Sequence, residues 1–176
     1  MARLQTVDPK TAEGRAKEIF DGPLKGKHFN LFKALANSPA ALDAYLGISG
    51  ALSKGQLSAK ELETIQLAVG QQNQCDYCLA AHTGLGKQAG LPADEIINIR
   101  KGKPVDAKLA ALTKFSLALH EKRGNVNDSD IVALKNAGYH DGHIAETVAA
   151  YALATFTNYF NHVNQTEIDF PAAPAI

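Results

Sequence analysis

The chain has 176 residues, 45% of them hydrophobic, and its 18 Lys plus Arg are balanced by 18 Asp plus Glu. That length and apolar content suit one domain with a full core. A formal net charge of zero, without a long basic or acidic run, excludes a nucleic-acid or anionic-membrane surface as the main business of the molecule. No window approaches the roughly 18 apolar residues of a membrane span, and the start, MARLQTVDPKTAEGRAKEIF, lacks the apolar stretch of a secretory signal. The expectation is a soluble cytoplasmic protein.

Apolar residues recur at spacings of three and four, strand-like alternation is absent, and an all-α fold is predicted. Asp8-Pro9 and Ser38-Pro39 each read as an N-cap followed by a first-turn proline, opening segments that end near Asp21-Gly22 and Gly55. Ser58 to Glu61 fits a capping box, after which Leu62, Ile65, Leu67 and Val69 make a largely apolar helix that breaks at Asn73-Gln74. A new helix is predicted from about Cys75 to Ala89-Gly90, and a short one from Leu91-Pro92 to about Lys101. Residues 105–123 put Leu109, Leu112, Phe115, Ser116 and Leu119 on one broad face, closed by Gly124. Asp128 to Ala137 is a short helix ended by Gly138. The last long segment, Asp141 to about Val163, is rich in alanine and suited to close backbone packing. Two prolines keep the tail from Asp169 to Ile176 out of any helix.

The only two cysteines, Cys75 and Cys78, stand in one four-residue stretch, with His82 four positions after the second. On a helix these three side chains project from nearly one face, with about 6 Å of rise from Cys78 to His82, so an imidazole can reach a thiol. In a reducing compartment such a pair is catalytic or metal-binding rather than a structural disulfide. A helix N-terminus and a nearby histidine both favour the reactive thiolate, and the second cysteine can close a disulfide on the first-reacting sulfur. Spacing leaves open which attacks first: Cys75 is nearer the helix start, whereas Cys78 stacks under His82. Glu63, on the preceding helix, is placed to orient His82 and relay its proton.

Glu63, eleven intervening residues, then Cys75-x-x-Cys78-x-x-x-His82 resembles the active-site signature of alkylhydroperoxidase AhpD-like proteins of the carboxymuconolactone decarboxylase superfamily. The ending, Asn158-Tyr159-Phe160-Asn161-His162-Val163 and then Thr166 to Pro171, is similar to one branch of that group. The likeness is strongest over residues 40–171, which sets a core apart from an N-terminal helical extension, 1–37, and a tail, 172–176. The resemblance implies a single all-helical AhpD-like domain, a homo-oligomer (trimer or hexamer) and thiol-dependent reduction of hydroperoxides. It implies Cys78 as the peroxidatic cysteine, Cys75 as the resolving one, and Glu63 with His82 as the proton relay. Well-studied members carry histidine where this chain has Tyr77, a residue that can donate a hydrogen bond but cannot shuttle protons near neutral pH.

No haem or flavin is implied, and neither a Gly-rich nucleotide fingerprint nor a phosphate loop is present, so electrons are expected from an external thiol donor such as a lipoyl group or a thioredoxin-like protein. Two alternatives stand beside this reading. One is a disulfide oxidoreductase without real peroxidase activity; the other is a zinc-binding helical module with Cys75, Cys78 and His82 as ligands, which lacks a sequence-local fourth ligand. His140 and His143 read as a solvated helix entry, and Asn158, Asn161 and His162 as packing or subunit-interface groups. A weak internal echo, Glu63-Thr64-Ile65 with Cys75-x-x-Cys78 against Glu146-Thr147-Val148 with Asn158-x-x-Asn161, recurs at an offset of 83 and suggests a repeated helical hairpin.

Overall fold

The computed structural model describes residues 2–176. Its described residues form nine α-helices and no strand: α1 (Gly14–Asp21), α2 (Asn30–Leu35), α3 (Pro39–Leu52), α4 (Ala59–Gln72), α5 (Asp76–Gln88), α6 (Ala93–Arg100), α7 (Ala107–Lys122), α8 (Asp128–Asn136) and α9 (Asp141–Asn164). None of these helices is long and apolar enough to cross a membrane.

Most helix ends lie where local chemistry puts them. The Ser38 hydroxyl accepts from the Ala41 amide ahead of Pro39. Ser58 and Glu61 form a reciprocal capping box on α4. Beyond α5, Gly90 takes φ +88°, a left-handed conformation that glycine adopts without steric cost. The first predicted helix is the exception. Asp8 Oδ1 accepts from Lys10 N and the Asp8 carbonyl from Thr11 and Ala12, so Asp8-Pro9 caps a single turn. Gly14, at φ +53°, then interrupts the chain at the first position of α1.

Helix α4 is the hub, packed against α5, α6, α7 and α9. Every residue from Thr64 to Gly70 is buried, as expected for a helix surrounded on all sides. One core joins Ile65 and Val69 of α4 to Leu112, Phe115 and Leu119 of α7, Leu134 of α8 and Leu153 of α9. A second lies between the N-terminal layer (Ile19, Phe20, Leu24, Leu31, Leu35) and Cys75, Tyr77 and Cys78. The cysteine pair is therefore roofed by the α1–α2 segment.

The hairpin echo does not survive in three dimensions. Between its first two motifs the chain breaks and turns from α4 into α5, whereas the second two lie on one uninterrupted α9. Glu146, the counterpart of Glu63, accepts the Gln56 and Leu57 amides and ties α9 to the loop before α4.

Glu61, itself buried, is another acid with a structural task. Its Oε1 meets Lys108 Nζ at 2.9 Å, and its other oxygen holds Ser58. Burial by itself would raise its pKa, but Lys108, Ser58 and Tyr139 outweigh it and hold the carboxyl down to about 2. The unfolded chain, with a carboxyl near 4.3, takes up the proton first. This contribution is thus complete above about pH 4.3 and is lost as the pH falls towards 2. Glu61→Gln should cost about 2 kcal/mol at pH 7 by denaturant unfolding, discounted for the half-exposed lysine, and the gap from wild type should close on acidification. A gap that stays constant down to pH 3 would show that the charge contributes nothing.

Candidate active site

Cys75 is held by two helices at once. At the end of α4, Gln74 takes φ 55°, its amide bonds to the Gln71 carbonyl at 3.1 Å, and the Cys75 amide bonds to the Gly70 carbonyl at 2.9 Å. This is the paired-bond helix stop usually built on glycine, here with glutamine in the left-handed position. Cys75 is also the N-cap of α5, its Sγ accepting from the Cys78 amide at 3.3 Å. It therefore stands at the mouth of the helix, one position before its first residue. Cys78 lies one turn in, and the two are joined as a disulfide with Cα atoms 5.3 Å apart.

Glu63 on α4 and His82 on α5 meet across the turn, Oε2 to Nδ1, at 2.7 Å. Their side chains are 16% and 20% exposed, whereas Cys75 and Cys78 are 2% and 3% exposed. The site has a wet end of acid and imidazole and a dry end of sulfur. None of the hydrogen bonds among the described residues joins His82 to a sulfur; the sulfurs are met by the Cys78 amide and by Asn161. Tyr45 of α3 lies close enough to Glu63 to feel its charge, and burial first of all pushes its phenol pKa up.

Tyr77 faces away from this chemistry. Its hydroxyl donates to Asp169 Oδ1 at 2.8 Å and accepts the Leu31 amide at 3.1 Å, while Asp169 Oδ2 takes the Asn30 amide at 2.7 Å. Burial, together with the adjoining Asp169, pushes the phenol far above its ordinary pKa, so it remains a donor. Phe170 packs edge-on to Tyr77 and against Phe29. The tyrosine thus clasps the α2 entry and the C-terminal tail together beside the disulfide.

Asn161 is the residue that the sequence reading placed elsewhere. Expected to be a packing or interface group, it sends Nδ2 to Cys78 Sγ at 3.3 Å and lies 4.0 Å from Cys75 Sγ. Asn158 and His162 brace α9 against the α4–α5 turn: Asn73 Nδ2 donates to Asn158 Oδ1, and His162 Nε2 meets the Asn73 carbonyl, both at 2.9 Å. The motif Asn158-x-x-Asn161 was visible in the sequence, but nothing local tied it to sulfur. His140 and His143 cap the start of α9, remote from the cysteines in the chain. Among the described residues no group of three or more His, Cys, Asp or Glu is arranged to hold a metal ion. A surface cleft of about 710 Å³ between the end of α7 and the outer face of α9 contains none of the four residues Glu63, Cys75, Cys78 and His82.

The profile of the carboxymuconolactone decarboxylase family matches residues 39–121, which contain Glu63, both cysteines and His82. A comparison with curated proteins finds no match. Among solved structures, the fold is that of an alkylhydroperoxidase AhpD core, an uncharacterized peroxidase-related protein from Ralstonia eutropha JMP134, with TM-score 0.85, 20% identity and coverage of 96% of this chain and 92% of that one. A peroxidase-related protein from Silicibacter sp. TM1040 superposes with TM-score 0.78 at 21% identity, covering 95% and 94%. The debrominase Bmp8, solved with 2,3,4-tribromopyrrole, superposes with TM-score 0.78 at 13% identity, covering 95% and 91%. Residues 39–121, which hold the thiol pair, Glu63 and His82, are thus similar to the carboxymuconolactone decarboxylase family, and the helical fold as a whole is that of AhpD-like structures.

Proposed function

We propose that the protein is a thiol-dependent hydroperoxide reductase. The observation that carries the reading is the joined Cys75–Cys78 pair at the mouth of α5 with the Glu63–His82 pair at its solvent side. In the reduced enzyme the Cys78 thiolate attacks the terminal oxygen of R–O–O–H. The O–O bond breaks, Cys78 becomes a sulfenic acid, and the alcohol leaves with a proton supplied through His82 Nε2 while Glu63 holds Nδ1. The Cys75 thiol then displaces water from the sulfenic acid and closes the disulfide. An external dithiol returns the two electrons, closing its own disulfide.

Burial of both sulfurs disfavours a folded protein as the direct disulfide substrate and favours a slender reductant of the lipoyl type over a thioredoxin-like protein. The homo-oligomeric assembly finds support in α3, which leaves Ala44, Gly47, Ile48 and Ala51 exposed along a nearly uncharged helix. Stopped-flow mixing of the reduced protein with hydrogen peroxide and with an organic hydroperoxide tests the activity. Loss of two thiols per chain, with consumption at least about a hundredfold faster than by a free thiol, is expected. A rate equal to that of a free thiol would remove the peroxidase reading and leave small-molecule disulfide exchange.

A further inference from the structure

The carboxamide of Asn161 is only half used. Its Nδ2 points at the sulfurs, 3.3 Å from Cys78 and 4.0 Å from Cys75, while its Oδ1 is buried and has no hydrogen-bond partner among the described residues. Buried acceptors are rarely left idle, because their lost hydration is not repaid. Turning the amide over would not help, since it would aim the oxygen at sulfur lone pairs. A disulfide can accept hydrogen bonds but has no proton to donate. Its reduction creates a donor at this place, namely a thiol.

We propose that Asn161 assigns the charge in the reduced pair: Nδ2–H holds Cys78 as the thiolate, and Oδ1 accepts the S–H of Cys75. When an external dithiol delivers two electrons, the Cys75–Cys78 bond breaks and the donor closes its own disulfide. Of the donor's two protons, one ends on Cys75 and the other is released. The Cys78 amide already donates to Cys75 Sγ at 3.3 Å, which by itself would draw the charge to Cys75. That bond is compatible with a neutral Cys75, because a thiol sulfur can accept from the amide while giving its proton to Asn161. Among the described residues, Asn161 Nδ2 is the hydrogen-bond donor that reaches Cys78 Sγ. The Asn73–Asn158 and His162–Asn73 bonds fix the depth of α9 and so keep the amide in range.

The inference deepens the hydroperoxide-reductase reading and rests on it only in taking the pair as a redox dithiol, so its test uses no peroxide. In a Cys75→Ser background, the absorbance of the thiolate near 240 nm is followed against pH. Asn161→Ala should raise the apparent pKa of Cys78 by about one unit, which is a tenfold smaller thiolate fraction at a pH below it. Asn161→Asp, nearly isosteric, should raise it further because a carboxylate opposes the thiolate, and it carries the test if the alanine variant does not fold. In a Cys78→Ser background, Asn161→Ala should instead lower the apparent pKa of Cys75, because the acceptor that holds its S–H is gone. Cys78 titrating alike with and without Asn161, or the pKa of Cys75 rising when Asn161 is removed, would overturn the inference. A shifted Cys78 titration in a protein that does not consume peroxide would instead remove the peroxidase reading and leave the role of Asn161 standing.

Discussion

Cys78→Ser is expected to abolish rapid hydroperoxide consumption, lowering the rate constant at least about a thousandfold, while Cys75→Ser should complete one turnover and stop. The asymmetry follows from the order of steps. Without Cys78 no thiolate attacks the O–O bond. Without Cys75 the attack still occurs, but the sulfenic acid has no neighbouring thiol to close on and persists until an external thiol reaches it. Since the sulfurs are 2% and 3% exposed, that rescue should be slow. The stalled species should add one dimedone per chain, read by mass spectrometry. The opposite pattern, with Cys75→Ser inert and Cys78→Ser giving a single turnover, would exchange the two roles and place the nucleophile at the N-cap of α5.

Glu63→Gln and His82→Ala should each lower the hydroperoxide rate constant about a hundredfold, within the usual range for loss of a positioned proton donor. Glutamine keeps the shape of the carboxylate and can still bond to Nδ1, but it removes the charge that stabilises the imidazolium during transfer. If the pair acts as a relay, the two variants should be equally slow, and the double variant no slower than either alone, because both act through one proton path. The cysteine thiolate titration should move much less than the rate. Single variants within threefold of wild type would show that the 2.7 Å contact is a structural ion pair joining α4 to α5.

The parts of the molecule legible in the sequence are those whose hydrogen bonds span a few residues. Ser38-Pro39, the Ser58–Glu61 capping box and Gly90 each mark a helix end through partners no more than five positions away. Asp8-Pro9 shows the limit of that logic. Its cap geometry is present, but the following turn is cut by Gly14 in the left-handed region, a conformation a glycine permits without announcing. The turn at Asn73-Gln74 was foreseen as a break, yet its use of a non-glycine residue at φ 55° to set Cys75 at the mouth of α5 was not. Glu63 and His82, 19 positions apart, were expected to meet because one turn separates two adjacent helices, and the structure brings them to 2.7 Å.

By itself, the sequence determined the helical class, most helix boundaries, and the gathering of both thiols and His82 at the start of one helix. These are consequences of caps, of 3.6-residue periodicity and of spacing within α5. Tertiary structure alone decided what surrounds the sulfur. Asn161 comes to Cys78 from 83 positions away, and Tyr77 reaches Asp169 across 92. Such pairs depend on how far α9 slides along α4 and where the tail returns, and those are set by packing summed over the whole core rather than by any local signal. The same packing roofs the cysteine pair with α1 and α2, turning a thiol motif at a helix start into a buried one with the partly exposed Glu63–His82 pair at its edge.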